Sequence, residues 1–123
     1  MAITGAHVLL YSSQPEAVRA LLRDVFGWRH VDAGDGWLIF ALPPAELGVH
    51  PTEGPTDPVG GHQFSLMCDD IEATVRELRS RGIMVNGEPK NEGWGVTVTI
   101  ILPGGPDVML YEPRHAVAIA AAR

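Results

Sequence analysis

Two landmarks recur along the chain at one spacing. His7 and His62 stand 55 residues apart, and so do Gly27 and Gly82, each of which closes an amphipathic stretch. A repeat read inside one chain restricts the fold more than any local propensity, because each copy must build the same supersecondary unit and bury its apolar face against the other.

In the first copy, residues 3–11 are β-rich. Ser13 then stands three residues before Glu16, the capping-box spacing, and Val18, Leu21, Leu22, Val25 and Phe26 follow at the helical period. Residues 28–33, 37–42 and 46–51 are short and bounded by breakers at Gly34, Asp35 and Gly36 and at Pro43 and Pro44, so they read as three strands. The second copy begins again at residues 62–67. Asp69 stands three before Glu72, Ile71, Val75 and Leu78 take the helical spacing, and 83–86, 94–102 and 107–112 read as strands parted by turns at 87–89 and 103–106. The expected architecture is α+β: two βαβββ units over 3–51 and 62–113, a linker over 52–61 and an alanine-rich tail over 114–123. The last strands of the two units end alike, His50 before Pro51 and Glu112 before Pro113, 62 residues apart, with the extra residues absorbed in loops.

Composition narrows the function classes. The 123 residues fit one domain large enough to bury a real core. A single cysteine, Cys68, excludes a disulfide scaffold and every paired-cysteine zinc motif, and Asp69 and Asp70 beside it disfavour a thiolate. Fifteen acids against nine bases give a net charge of −6, and the eight arginines and one lysine are scattered, so neither nucleic acid nor an anionic membrane is an expected partner. No stretch is long and apolar enough to span a bilayer, and residues 1–4 lack the basic start of an export signal; a cytoplasmic protein is expected. Gly104 and Gly105 form a hairpin turn with no helix or Lys-Ser/Thr after it, so nucleotide binding is not indicated.

The segments from His7, Val8, Leu9, Leu10 and Tyr11 through Phe26, Gly27 and Trp28, and from Gly61 and His62 through Asp69 and Asp70 to Arg81 and Gly82, resemble the vicinal oxygen chelate superfamily. That group includes glyoxalase I, bleomycin-resistance proteins and extradiol dioxygenases, and the resemblance covers essentially the whole chain. It implies an open, cupped mixed sheet, frequent pairing as homodimers, and, in metal-using members, ligands on the first and last strands of both units. His7, His50, His62 and Glu112 are the implied ligands here, with Glu112 also the carboxylate that would move a proton. Imidazole and carboxylate together suit Zn, Fe, Mn, Ni or Co, any of which would act as a Lewis acid on a small oxygenated substrate.

One departure leaves two registers open. Counting from the turn at Pro103, Gly104 and Gly105 puts Met109 in the place of the last ligand; aligning the proline-terminated strand ends puts Glu112 there. Side chains alternate along a strand, so Met109 and Tyr111 face one way and Glu112 the other. The same resemblance therefore supports a second expectation, a metal-free module that sequesters an antibiotic-like compound. Trp37 and Trp94, with Met109 and Tyr111, are the candidate residues lining its pocket. His30, Arg114 and His115 are expected at the solvated surface.

Overall fold

The computed structural model describes residues 6–49, 51–52, 54–56 and 59–121. The chain is a mixed α+β fold with an open sheet. In order it forms helix α1 (Pro15–Asp24), strands β1 (His30–Asp32), β2 (Leu38–Phe40) and β3 (Ser65–Met67), helix α2 (Ile71–Ser80), strands β4 (Met84–Asn91), β5 (Gly95–Ile101) and β6 (Asp107–Pro113), and a short helix α3 (Ala118–Ala121).

The second half forms a four-stranded sheet in the order β3-β6-β5-β4. β5 and β6 pair antiparallel, with Val98 opposite Leu110 and Thr99 opposite Met109. β6 returns beside β3 in parallel, after a crossover through α2, β4 and β5 of the length that a parallel pairing requires. Period-two alternation assigns the faces. Val98, Ile100, Val108 and Leu110 are buried on one side, where Ile71, Val75 and Leu78 of α2 cover them. Thr97, Thr99, Met109 and Tyr111 stand half-exposed on the other. Among the described residues the core holds no buried polar or charged side chain. Its two most enclosed side chains, Ile100 and Val108, each contribute about 1.5–3 kcal/mol by leaving water.

α2 starts where Asp70, in extended conformation, accepts from the Ala73 amide at 3.1 Å, which satisfies one of the free donors of the first turn. The capping-box spacing predicts Asp69 in this role; its neighbour Asp70 does the capping. α1 opens on Pro15 with Gln14 at the cap and no side-chain cap bond. Ser13, the expected cap, instead sends its hydroxyl to the Gly104 carbonyl at 3.3 Å. α1 joins the same apolar core through Val18, which is 6% exposed, with Leu21, Leu22, Val25 and Phe26 packed around it. The Arg81 guanidinium donates to the Val25 carbonyl at 3.0 Å and ties the ends of the two helices together.

The first half is less regular than its repeat partner. β1 and β2 form a three-residue antiparallel hairpin, His30 opposite Phe40, and Ala33 donates to the Trp37 carbonyl at 2.9 Å to close it. Its turn needs left-handed backbone at Gly34, Asp35 and Gly36 (φ 133°, 52° and 82°), and the Asp32 carboxylate steadies it by accepting from the Gly34 amide at 2.7 Å. Two expected strands do not form among the described residues. Residues 6–11 and 46–49 are irregular and have no ladder partner, and β-propensity without a partner gives extended chain, not strand. The expected turn at 87–89 is a register shift inside β4, between Asn86 and Lys90, with Pro89 in the irregular stretch where its missing N–H costs no ladder bond. No helix among the described residues is long and apolar enough to cross a membrane.

Candidate functional site

Where the irregular first half meets the sheet, a cleft of about 350 Å³ remains open. α1 supplies one wall, because the helical period sets Val18 and Leu22 on one stripe with Arg19 at its border, and Phe26, just past the end of the helix, extends it. The β1–β2 hairpin supplies the second with Trp37 and Phe40, and Trp28 and Phe64 close the sides. Ile100 and Val108, fully buried in the core, lie directly beneath it as its base. The aromatic positions are mutually braced: Phe26 and Trp28 lie 5.2 Å apart between ring centroids, and His30 lies 5.4 Å from Phe40. Polar groups at this cleft are few. His7 and Ser12 border it, and the Arg19 guanidinium lies 5.0 Å above the Trp37 ring in cation–π geometry.

The candidate residues named from sequence are divided between two places. Trp37 and His7 lie at the cleft. Met109, Tyr111 and Trp94 belong to the opposite face of the sheet, where Trp94 meets Tyr111 edge-on at 5.7 Å and His115 lies 6.1 Å beyond it. Gly95 makes that contact possible, since a Cβ there would press on the Tyr111 ring at 3.2 Å. Burial, and then the nearby Glu46 carboxylate, push the Tyr111 phenol up.

The register question has a clear geometric answer. Glu112 pairs with Val96 and shares the face of Leu110 and Val98, towards α2, while Met109 and Tyr111 share the other. Its carboxylate is engaged on both oxygens: Oε1 accepts from the Ile71 amide at 3.1 Å, and Oε2 accepts from Nε and Nη2 of Arg114 at 3.1 and 2.9 Å. Glu112 thus helps to start α2. His62 is exposed on the approach to β3, and His50 lies outside the described residues. Among the described residues no three His, Cys, Asp or Glu side chains come together as a metal would require. The described donors therefore do not fit the implied metal, because the carboxylate that would complete the set is committed to a helix amide and an arginine. Cys68 is no substitute: burial pushes its thiol up, a hydrogen bond with Thr74 acts in the opposite sense, and the Glu112, Asp69 and Asp70 carboxylates add to the rise.

Residues 5–114 match the family model described as the Glyoxalase/Bleomycin resistance protein/Dioxygenase superfamily. The chain belongs to that superfamily. Solved structures agree with this glyoxalase-like membership. An antibiotic binding protein from Streptomyces sp. CB03234 is similar at 25% identity and TM-score 0.60, over 91% of this chain and 99% of that one. A glyoxalase/bleomycin resistance protein from the same Streptomyces is similar at 27% identity and TM-score 0.54, over 81% and 92%. A lactoylglutathione lyase from Agrobacterium tumefaciens shares the fold at 22% identity and TM-score 0.62, over 91% and 96%. Among curated proteins, none matches the chain.

Sequence reasoning missed Arg19, Phe26, Phe40 and Phe64 as lining residues. The signal available was slight: Arg19 borders the α1 apolar stripe next to Val18, as Arg23 does next to Leu22, and nothing in the sequence separates the two. Phe40 on β2, Phe26 after α1 and Phe64 before β3 read equally well as core, and only the structure shows that they border a cleft.

Proposed function

We propose that this glyoxalase-superfamily chain is a small-molecule binding protein that sequesters a compact, flat, largely apolar ligand in the cleft between α1, the β1–β2 hairpin and the core. The observation that carries the reading is the cleft itself: an aromatic wall of Trp28, Trp37 and Phe40 over an aliphatic floor, with Arg19 and His7 as its few polar landmarks. Its volume lies at the low end of the roughly 300–1,000 Å³ usual for pockets that hold drug-sized molecules, which favours two or three fused rings. The similarity to an antibiotic binding protein at 25% identity supports the same reading.

Binding follows from burial and stacking. A flat ligand entering beside Trp37 and Phe40 exchanges water for aromatic and aliphatic contacts, and the braced rings limit the ordering cost on closure. A metal-dependent reaction, the other expectation of the resemblance, would have to rest on His7, His62 and His50 without Glu112, whose two oxygens are engaged by the Ile71 amide and Arg114.

Titrating metal-stripped protein with flat aromatic compounds while following tryptophan fluorescence tests the proposal. Saturable quenching is expected, because Trp28 and Trp37 both border the site. Calorimetry on Phe40→Ala is expected to show affinity weakened by about tenfold, the loss of one aromatic contact. A folded protein that neither quenches nor releases heat across a broad panel would sink the reading.

A further inference from the structure

Charge is distributed unevenly between the protein and its cleft. The chain carries fifteen acidic side chains against nine Lys and Arg. Yet no Asp or Glu lines the cleft, whereas Arg19 and His7 do. Arg23, Arg79, Lys90 and Arg114 each sit within ion-pair distance of a carboxylate. Arg19 does not: among the described residues no carboxylate reaches it, and its contact is the Trp37 ring face at 5.0 Å. A guanidinium held over a ring engages its flat face there and leaves its N–H edge, a planar fork suited to a carboxylate, without an acceptor among the described residues. His7 likewise has no described hydrogen-bond partner.

Resting on the reading that the cleft holds a flat ligand, we infer that this ligand is a planar aromatic acid. Its fused rings lie against Trp37 and Phe40, and its carboxylate or ionised phenol meets the free edge of Arg19, with His7 as a second donor. The rule of exclusion is equally specific. A cationic ligand of the same shape finds a like charge at Arg19 and no acid anywhere in the lining, so the cleft rejects it despite the negative charge of the whole protein.

Calorimetric titration at neutral pH with naphthoate, naphthalenemethanol and naphthylmethylammonium, and with the matching anthracene trio, tests the inference. The acid is expected to bind about tenfold more tightly than the alcohol, the scale of one charge-assisted hydrogen bond, with the ammonium compound weakest. Arg19→Gln is expected to collapse the advantage of acid over alcohol, and Arg19→Lys to keep part of it. If the alcohol or the ammonium compound binds as tightly as the acid, or if the advantage survives in Arg19→Gln, the inference falls while the binding function stands. If none of the six binds, both fall.

Discussion

The Ser12 hydroxyl donates to the Pro103 carbonyl at 2.6 Å and pins the chain just before α1 onto the turn between β5 and β6. The Ser13 amide adds a bond to the Gly104 carbonyl at 3.3 Å. This docking works only because Gly104 has no side chain. A Cβ there would collide with the Ser12 hydroxyl and with the backbone nitrogens of Ser13 and Gln14, and the residue also holds φ +78°.

Gly104→Ala is therefore expected to lower stability by about 3–4 kcal/mol in urea unfolding, through both overlap and backbone strain. Gly105, at φ +105° but with open space around it, isolates the second cause. Gly105→Ala is expected to cost about 1–2 kcal/mol. Equal losses in the two variants would show that the Ser12 docking contributes nothing.

Glu112 caps α2 from across the sheet. Removing its carboxylate in Glu112→Ala leaves the Ile71 amide without its acceptor and is expected to cost about 1–2 kcal/mol, whereas Glu112→Gln, which keeps an acceptor oxygen, loses less than about 1 kcal/mol. Chemical denaturation of the two variants side by side checks this. A Gln variant as unstable as the Ala variant would mean that the Arg114 pair, not the helix amide, is what matters.

The protein as purified without chelators is expected to hold far less than one equivalent of Zn, Mn, Fe, Ni or Co, and His7→Ala/His62→Ala is expected to leave that content unchanged. Elemental mass spectrometry gives the answer. Stoichiometric metal that disappears in the double variant would restore the metalloprotein expectation and assign His7 and His62 to it.

Burial raises the Cys68 thiol, so less of it is thiolate at a given pH than in an unstructured peptide. Alkylation by iodoacetamide is expected to be several-fold slower than for a free thiol at pH 8, and to accelerate with a midpoint above the ordinary thiol value of about 8.5. A midpoint at or below that value would contradict the burial of the sulfur, to which Glu112, Asp69 and Asp70 add.

The helices were legible in the sequence because their signals are local. Val18, Leu22 and Phe26 on one stripe, and Ile71, Val75 and Leu78 on another, need no distant partner to be recognised. The caps were off by one residue at each start: the Ser13 hydroxyl donates into the Gly104 turn and accepts from no helix amide, and Asp70, not Asp69, accepts from the Ala73 amide. What the sequence hid depended on pairing. Residues 6–11 have strand composition and no ladder, and the orientation of Glu112 follows from β6 pairing with β5, not from the proline after it. The repeat at His7 and His62 marks equivalent chain positions without making equivalent environments, which is why one histidine borders the cleft and the other stands at the surface.

Ile100 and Val108 serve the cleft as floor and the fold as its most enclosed side chains. Selection for a bulkier ligand cannot deepen this site without hollowing the part of the molecule that keeps it folded. Trp37 and Phe40 sit on a short hairpin outside that core and can change with little structural penalty. Diversification of ligand preference in descendants of this chain should thus run along the rim, residue by residue on the hairpin and α1, while the base stays aliphatic and nearly fixed in size.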